Sequence, residues 1–277
     1  MSDTTVADAI QADTDGGRRL RVRPKIPWLT IVAPAVFFAA FIGAWELLVK
    51  VRDIQVLLLP APSVIWRQFV EDFSLLRELA KNTAIESLKG VLIGAVMAIG
   101  LAGLVQPVGW LNKSLLMYSS TIKALPIVAL YPLCTVFFGI TSAAVVAMVV
   151  IAITPIMYTF AARGFSGTSQ EDDLMRSISA GRFIRFWFLV LPRALPYVMA
   201  GMKTAVPLSI IVAIISEYFG GRVTTLGSHI RRESHQLHTP EMWSAIVMAC
   251  LLGIVAFGAV SLLDRYFLRW QQSRRGD

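Results

Sequence analysis

The chain has 277 residues, 56% of them hydrophobic and 16% charged, with a mean hydropathy of +0.64. Soluble domains are about 45–50% apolar even when glycine is included, so this composition excludes an ordinary water-soluble enzyme and points to a membrane domain. The net charge is +8, but most cations flank apolar runs, which suits anionic lipid headgroups and excludes nucleic acid as the expected partner.

Residues 1–27 are polar and then basic, ending in Arg18, Arg19, Arg21, Arg23 and Lys25, and read as a disordered cytoplasmic tail. The apolar run from Trp28 to Val49 is too long for a signal h-region and lacks a closing small-x-small site, so it is expected to stay as an anchor. Five more spans are predicted, at about Thr83–Val105, Ser114–Phe138, Ser142–Ala162, Ala194–Phe219 and Trp243–Phe267. Each is long enough to cross a hydrocarbon layer of about 30 Å. The third span carries Pro126 and Pro132, which break a helix unless neighbours satisfy the freed backbone groups. Between the first two spans, the Leu59-Pro60-Ala61-Pro62 turn precedes an amphipathic stretch that suits the outer membrane surface.

The expected fold is therefore all-α, a polytopic membrane bundle of about six transmembrane helices. The membrane domain would cover 28–270, with a second cytoplasmic tail at 271–277. With both termini inside, fifteen Lys and Arg fall on the inner side and eight on the outer, the sense of the positive-inside bias. In the second span Gly90, Gly94 and Ala98 recur every four residues, a spacing that lets helix backbones approach closely.

The longest inward loop on this topology runs from about 164 to 191. Thr168 or Ser169 can cap a short helix whose first turn holds Glu171, Asp172 and Asp173. Gly181 then permits a turn, and the aromatic-basic run Phe183–Phe188 suits the membrane interface. Physically this is either a docking knob for a cytoplasmic protein or an ordinary amphipathic connector.

The segment resembles the cytoplasmic EAA loop of binding-protein-dependent importer permeases of the ATP-binding-cassette class. Aligned on Leu191-Pro192, Asp173 falls on the acidic position, Leu174-Met175 on the two alanines, Ser179 on the glycine, and Ala180-Gly181-Arg182 on the small-small-Arg run. Leu191 to Pro196 and Gly201-Met202-Lys203 fit closely. Further matches lie at Leu59–Ser63, at Leu125-Pro126 through Phe137-Phe138-Gly139, and at Ser216–Gly220 followed by Leu226-Gly227. Together they cover about residues 28–270, and their order makes the set specific. The similar branch is that of the nitrate, sulfonate, taurine, thiamine-precursor pyrimidine and riboflavin permeases, and Lys203–Pro207 leans toward the heteroaromatic group. Two positions depart from the pattern: the two alanines are Leu174-Met175, and Ser179 stands for the turn glycine, a role Gly181 can take over.

The resemblance implies a permease subunit of the cytoplasmic (inner) membrane, moving a small organic or anionic solute inward by alternating access. It implies three protein partners: a separate cytoplasmic ATPase that receives the Glu171–Gly181 helix, an extracytoplasmic substrate-binding protein, and a second permease copy, identical or not. An ion-coupled secondary transporter is the alternative, and would show an inverted repeat and mid-membrane carboxylates. No phosphate-binding loop is present, since Gly201-Met202-Lys203-Thr204 lacks the required spacing, and no nucleophile–base set is seen. The chain is read as a transporter subunit rather than an enzyme, with no cofactor.

Ionisable residues in the spans cost about 2.5–3.5 kcal/mol each at a helix centre. Glu86 and Lys89 are expected to pair on one helix face. Lys123, one turn before the Pro126 kink, either faces an aqueous path or snorkels inward, and Lys203 would do the same. Glu217 is read as a solvated helix end, with an outer gate as the alternative. Lys123, Pro126 and Glu217 are thus the candidate pathway or gate residues. His229, His235 and His238 are read as part of a solvated outer loop and not a metal site, and Cys134 and Cys250 as small buried side chains.

Overall fold

The structure, a computed structural model, describes residues 28–123, 126–166, 181, 184 and 186–268. Both predicted tails and most of the 164–191 loop lie outside the described residues. The described residues hold nine α-helices, here numbered in chain order: α1 (Trp28–Val51), α2 (Pro62–Glu71), α3 (Phe73–Val105), α4 (Gly109–Ile122), α5 (Tyr131–Phe138), α6 (Ser142–Phe165), α7 (Leu191–Gly220), α8 (Leu226–Gln236) and α9 (Thr239–Phe267). A 3-10 turn at Ile127–Leu130 precedes α5, and a π-helical turn at Phe186–Val190 feeds α7. Among the described residues there is no strand.

The chain divides into two units, 1–47 and 48–277. In the first, α1 presents Phe37, Phe38, Phe41 and Leu47 as exposed apolar surface, as a helix surrounded by lipid does. The second is built around α6, which packs most extensively on α3 and α7.

Small residues decide how close these helices come. A Cβ on Gly90 would lie 2.4 Å from Val149 Cγ1, and one on Gly94 would lie 3.5 Å from Ile153 Cβ. The paired numbers rise together, so α3 and α6 run parallel. Ala98, Ala102, Ala144, Ala152 and Ala161 are essentially buried along the same seam, the small-residue packing that replaces hydrophobic driving force in lipid.

Parallel α3 and α6 require a return crossing between them. At one end Gln106 Nε2 donates to Phe165 O at 2.8 Å. At the other, Ser142 Oγ donates to Glu86 Oε1. Twenty residues of α3 separate those ends, roughly 30 Å of helix. Residues 107–141 must cover that distance, so the broken third span is a crossing. Five helices satisfy span length and apolarity individually, and the bent pair Gly109–Ile122 with Ile127–Phe138 makes the sixth. Pro126 precedes the 3-10 turn, and Pro132 sits in the first turn of α5, where its missing N–H is harmless. The break therefore belongs to Pro126. In α4 Asn112 accepts from Tyr158 Oη at 2.9 Å, and at its C-cap Lys123 Nζ donates to Thr159 Oγ1 at 2.8 Å. Residues eleven apart thus meet neighbours on α6, so α4 crosses α6 rather than running along it.

A smaller core of Phe69, Leu76, Leu79, Ala80, Leu226, Ala245 and Met248 joins α2, the start of α3, α8 and α9. Its existence corrects two expectations. The second span begins at Phe73, ten residues before Thr83, because the early turns of α3 have this core to pack on. From His229 to Gln236 the segment is helical and not a loop: α8 carries a Thr225/Ser228 capping box, and His229 and Glu233 are buried while His235 and His238 are exposed. Cys134 is buried as expected, whereas Cys250 is exposed on α9.

Candidate functional site

The first candidate place is the base from which the 164–191 loop leaves the bundle. Gly164 on α6 lies against α7 so closely that a Cβ would stand 2.9 Å from Ala194 Cα. The last carbonyls of a helix lack intrahelical partners. Here Arg193 takes two of them, its Nε donating to Gly164 O at 3.3 Å and its Nη2 to Phe165 O at 2.9 Å. Gln106 adds the third donor from the end of α3. A guanidinium at a helix C-terminus also meets the negative end of the dipole. The loop thus begins and ends at one point, tied to α3, α6 and α7 together.

Of the loop residues singled out from the sequence, Glu171, Asp172, Asp173, Ser179 and Ala180 lie outside the described residues. Leu191 is partly exposed and Pro192 half-buried, and both open α7, with proline in the helix's first turn. Gly181 does not use a glycine-only conformation, since its φ is not positive and a Cβ there would meet nothing within 4 Å. The aromatics ahead of α7, Phe186, Trp187 and Phe188, are exposed. Sequence reasoning missed Arg193 and Gln106; an Arg directly after Leu-Pro at a span entrance was the available signal.

The second place is the break in the third span. Lys123 is exposed and held on Thr159 of α6, about 9 Å along the helix from Phe165. Arg163 is near enough to act on it electrostatically. Lys123 therefore belongs to the same end of the bundle as the loop base. Lys203 does not snorkel as a free cation. It pairs with Asp264 and so ties α7 to α9.

The third place is at the opposite end. Glu217 is fully buried, which overturns the solvated helix-end reading. Its Oε2 accepts from Thr83 Oγ1 and from the Gly227 backbone N–H, both at 2.9 Å. Thr83 Oγ1 in turn accepts from Leu226 N at 3.1 Å. The first N–H groups of α8 are thus satisfied by side chains of α3 and α7. Gly227 makes this possible: a Cβ there would lie 2.2 Å from Ile214 O and 2.7 Å from Glu217 Cβ. One turn along α3, Glu86 is buried and accepts from Ser142, and Ser87 shares a 2.6 Å hydrogen bond with Ser209. The expected Glu86–Lys89 pair is absent. Lys89 falls on the outward face of α3 with Ile85, Leu88 and Leu92, while Glu86 faces α6.

Outside the spans, α8 holds a charged group of its own. Glu233 accepts from Arg232 Nε and from His238 Nδ1, each at 3.0 Å. Burial raises its carboxyl, but these hydrogen bonds and the positive charge of His229 and Arg232 outweigh it and hold Glu233 below its ordinary value. Burial pushes His229 down; Glu233, Asp72 and Glu241 oppose that and Arg232 reinforces it. His235 and His238 are exposed. Among the described residues no group of three His, Cys, Asp or Glu is arranged to hold a metal ion.

The candidate residues do not form one site. Glu217 stands twenty-six residues up α7 from Leu191, roughly 39 Å of helix. Lys123 and the loop base occupy one end and the buried carboxylates the other, with Pro126 in the break that follows Lys123.

A family model described as "Binding-protein-dependent transport system inner membrane component" matches residues 90–269. Among curated proteins, a formylaminopyrimidine transport permease, ThiX, of Halalkalibacterium halodurans is 28% identical and covers 87% of this chain and 96% of its own length. A riboflavin transport system permease, RibX, of Chloroflexus aurantiacus is 25% identical over 92% of this chain and 96% of its own. A putative aliphatic sulfonates permease, SsuC, of Escherichia coli is 27% identical over 89% and 95%. Among solved structures, an inward-facing MetNI methionine ABC transporter chain superimposes with a TM-score of 0.57 at 15% identity, covering 69% of this chain and 94% of that one, a likeness of fold.

Proposed function

The chain belongs to the family of inner-membrane components of binding-protein-dependent transport systems, and from that premise we propose how its loop and its two ends work. As a permease component of an ATP-binding-cassette importer, it would carry no motor of its own. A separate cytoplasmic ATPase dimer would grip the 164–191 loop, with Glu171, Asp172 and Asp173 in the gripped helix. Both termini and the loop base would face the cytoplasm, and α8 would face outward, toward a substrate-binding protein. A second permease copy would complete the pathway. Two of the relatives above are named for heteroaromatic solutes, formylaminopyrimidine and riboflavin, which supports the lean of Lys203–Pro207 toward that class over aliphatic sulfonates.

One observation carries this reading: Arg193 and Gln106 bind the carbonyls at the end of α6, so both ends of the loop leave from a single hydrogen-bonded base. A force on such a loop moves α3, α6 and α7 as one packed body, the rigid rocking that alternating access requires. A loop on a slack base would absorb the displacement. The test is side-specific labelling. In a chain with Cys134→Ala and Cys250→Ser, Ser169→Cys should react with a membrane-impermeant maleimide in inverted vesicles and not in right-side-out cells. Adding the cognate ATPase should protect it. Labelling from outside would place the loop beyond reach of any cytoplasmic motor and end the proposal.

A further inference from the structure

Three buried oxygens in the Glu217 cluster have no hydrogen-bond partner: Glu86 Oε2, Glu217 Oε1 and the hydroxyl of Tyr131. All three residues are more than nine-tenths buried. They come from three helices that converge at one end of the bundle. Glu86 lies one turn along α3 from Thr83, which holds Glu217. Tyr131, at the start of α5, lies against the end of α7, its hydroxyl 3.1 Å from where a Cβ on Gly220 would stand. The two carboxylates act electrostatically on each other and on Tyr131.

A buried carboxyl must be neutralised, either by its own proton or by positive charge beside it, because an uncompensated buried ion costs several kcal/mol. Neither is within ion-pair distance of a Lys, Arg or His among the described residues. The nearby cation is Arg231 of α8, which acts electrostatically on Tyr131 but pairs with neither carboxylate. Helix N-termini face both: Glu86 meets the first residue of α6, and Glu217 the first turn of α8. Those dipoles lie at the bonded oxygens, and the other oxygen of each carboxyl has no hydrogen-bond partner. The oxygens without a partner belong to two carboxyls and a phenol, with the Ser142 hydroxyl on Glu86 and the Thr225 hydroxyl beside Glu217. Oxygen donors without His or Cys suit a hard cation rather than zinc or copper.

We propose that Glu86, Glu217 and Tyr131 form a binding centre for a hard metal cation, alkali or alkaline-earth, that bridges the two carboxylates and locks α3, α5, α7 and α8 together. The centre is remote from the loop base. It concerns the stability of one end of the bundle and stands whether or not the transport reading does.

The experiment uses the full chain in lipid nanodiscs, at fixed pH and ionic strength, with N-methylglucamine chloride replaced in turn by Na+, K+, Mg2+ or Ca2+. The thermal midpoint should rise saturably with at least one of these cations, as for any ligand that binds only the folded state. Glu86→Gln with Glu217→Gln should abolish the rise. Should that pair not fold, Tyr131→Phe removes one donor and should raise the half-saturating concentration about tenfold. Equilibrium dialysis of the wild-type chain with radioactive Na+ or Ca2+ should find one site per chain. A midpoint indifferent to all four cations, a response that follows pH alone, or an equal response in the substituted chains overturns the proposal.

Discussion

Replacing Thr83 by valine tests whether α8 is locked to the bundle from within. The Thr83 side chain is fully buried. Its hydroxyl donates to Glu217 Oε2 at 2.9 Å and accepts from Leu226 N at 3.1 Å. Valine keeps the shape and removes both bonds. Leu226 N–H is then buried without an acceptor, which costs about 1–3 kcal/mol, and the hydrogen bond to the Glu217 carboxyl is lost, worth about 0.5–1.5 kcal/mol. The combined loss is about 1.5–4.5 kcal/mol, or a fall of roughly 3–18 °C in the thermal midpoint at about 2–4 °C per kcal/mol. Serine at the same place keeps both bonds and loses one methyl group, worth about 0.8 kcal/mol. The assay is unfolding of the purified chain in nanodiscs followed by tryptophan fluorescence. A valine variant no less stable than the serine variant would refute the reasoning, because the hydroxyl would then contribute nothing beyond its methyl neighbour.

Three other outcomes follow from the same geometry. Gly90→Ala forces a Cβ to within 2.4 Å of Val149 Cγ1 and should cost about 1–3 kcal/mol by overpacking; Val149→Ala in the same chain should restore most of it, read as a double-mutant cycle. Arg193→Ala should cost about 1.5–3 kcal/mol and lower the solute moved per ATP hydrolysed, with Arg193→Lys recovering part, measured in reconstituted vesicles. The pH dependence has a definite sign. His229 sits below its ordinary 6.5 chiefly through burial, so its neutral form stabilises the fold above about pH 6.5, and that contribution is lost as pH falls toward the lowered value. Glu233, below its ordinary 4.5, adds a loss only in more acid solution. The midpoint should therefore drop between pH 7.5 and 5.5, and His229→Gln should flatten that drop.

Much of the architecture was legible because lipid leaves little choice. Runs such as Ser142–Phe165 are helical and crossing by length and apolarity alone, and the glycines of α3 announced a close seam. The start of α3 was not legible, because Arg77, Glu78 and Lys81 mark its first turns as polar while Leu76, Leu79 and Ala80 supply a core from α8 and α9 that only the fold reveals. The same holds for α8, whose His229 and Glu233 look like loop residues until the helix packs on α3, α7 and α9. At the candidate sites, local spacing misled where partners were distant. Glu86 has Lys89 one turn away yet bonds Ser142, fifty-six residues on. Glu217 ends an apolar run and so looked solvated, but Gly227 lets α8 close over it. Arg193 was visible in the sequence, and its acceptors at the end of α6 were not.

The central claim is that this permease component takes its motion from a separate ATPase through the 164–191 loop. Uptake of radiolabelled solute into proteoliposomes holding the chain, its second copy, its ATPase and its binding protein tests that most directly. The account predicts uptake that follows internal ATP in the absence of any ion gradient and stops when the ATPase is left out. Uptake driven by an imposed proton or sodium gradient, indifferent to ATP, would contradict it.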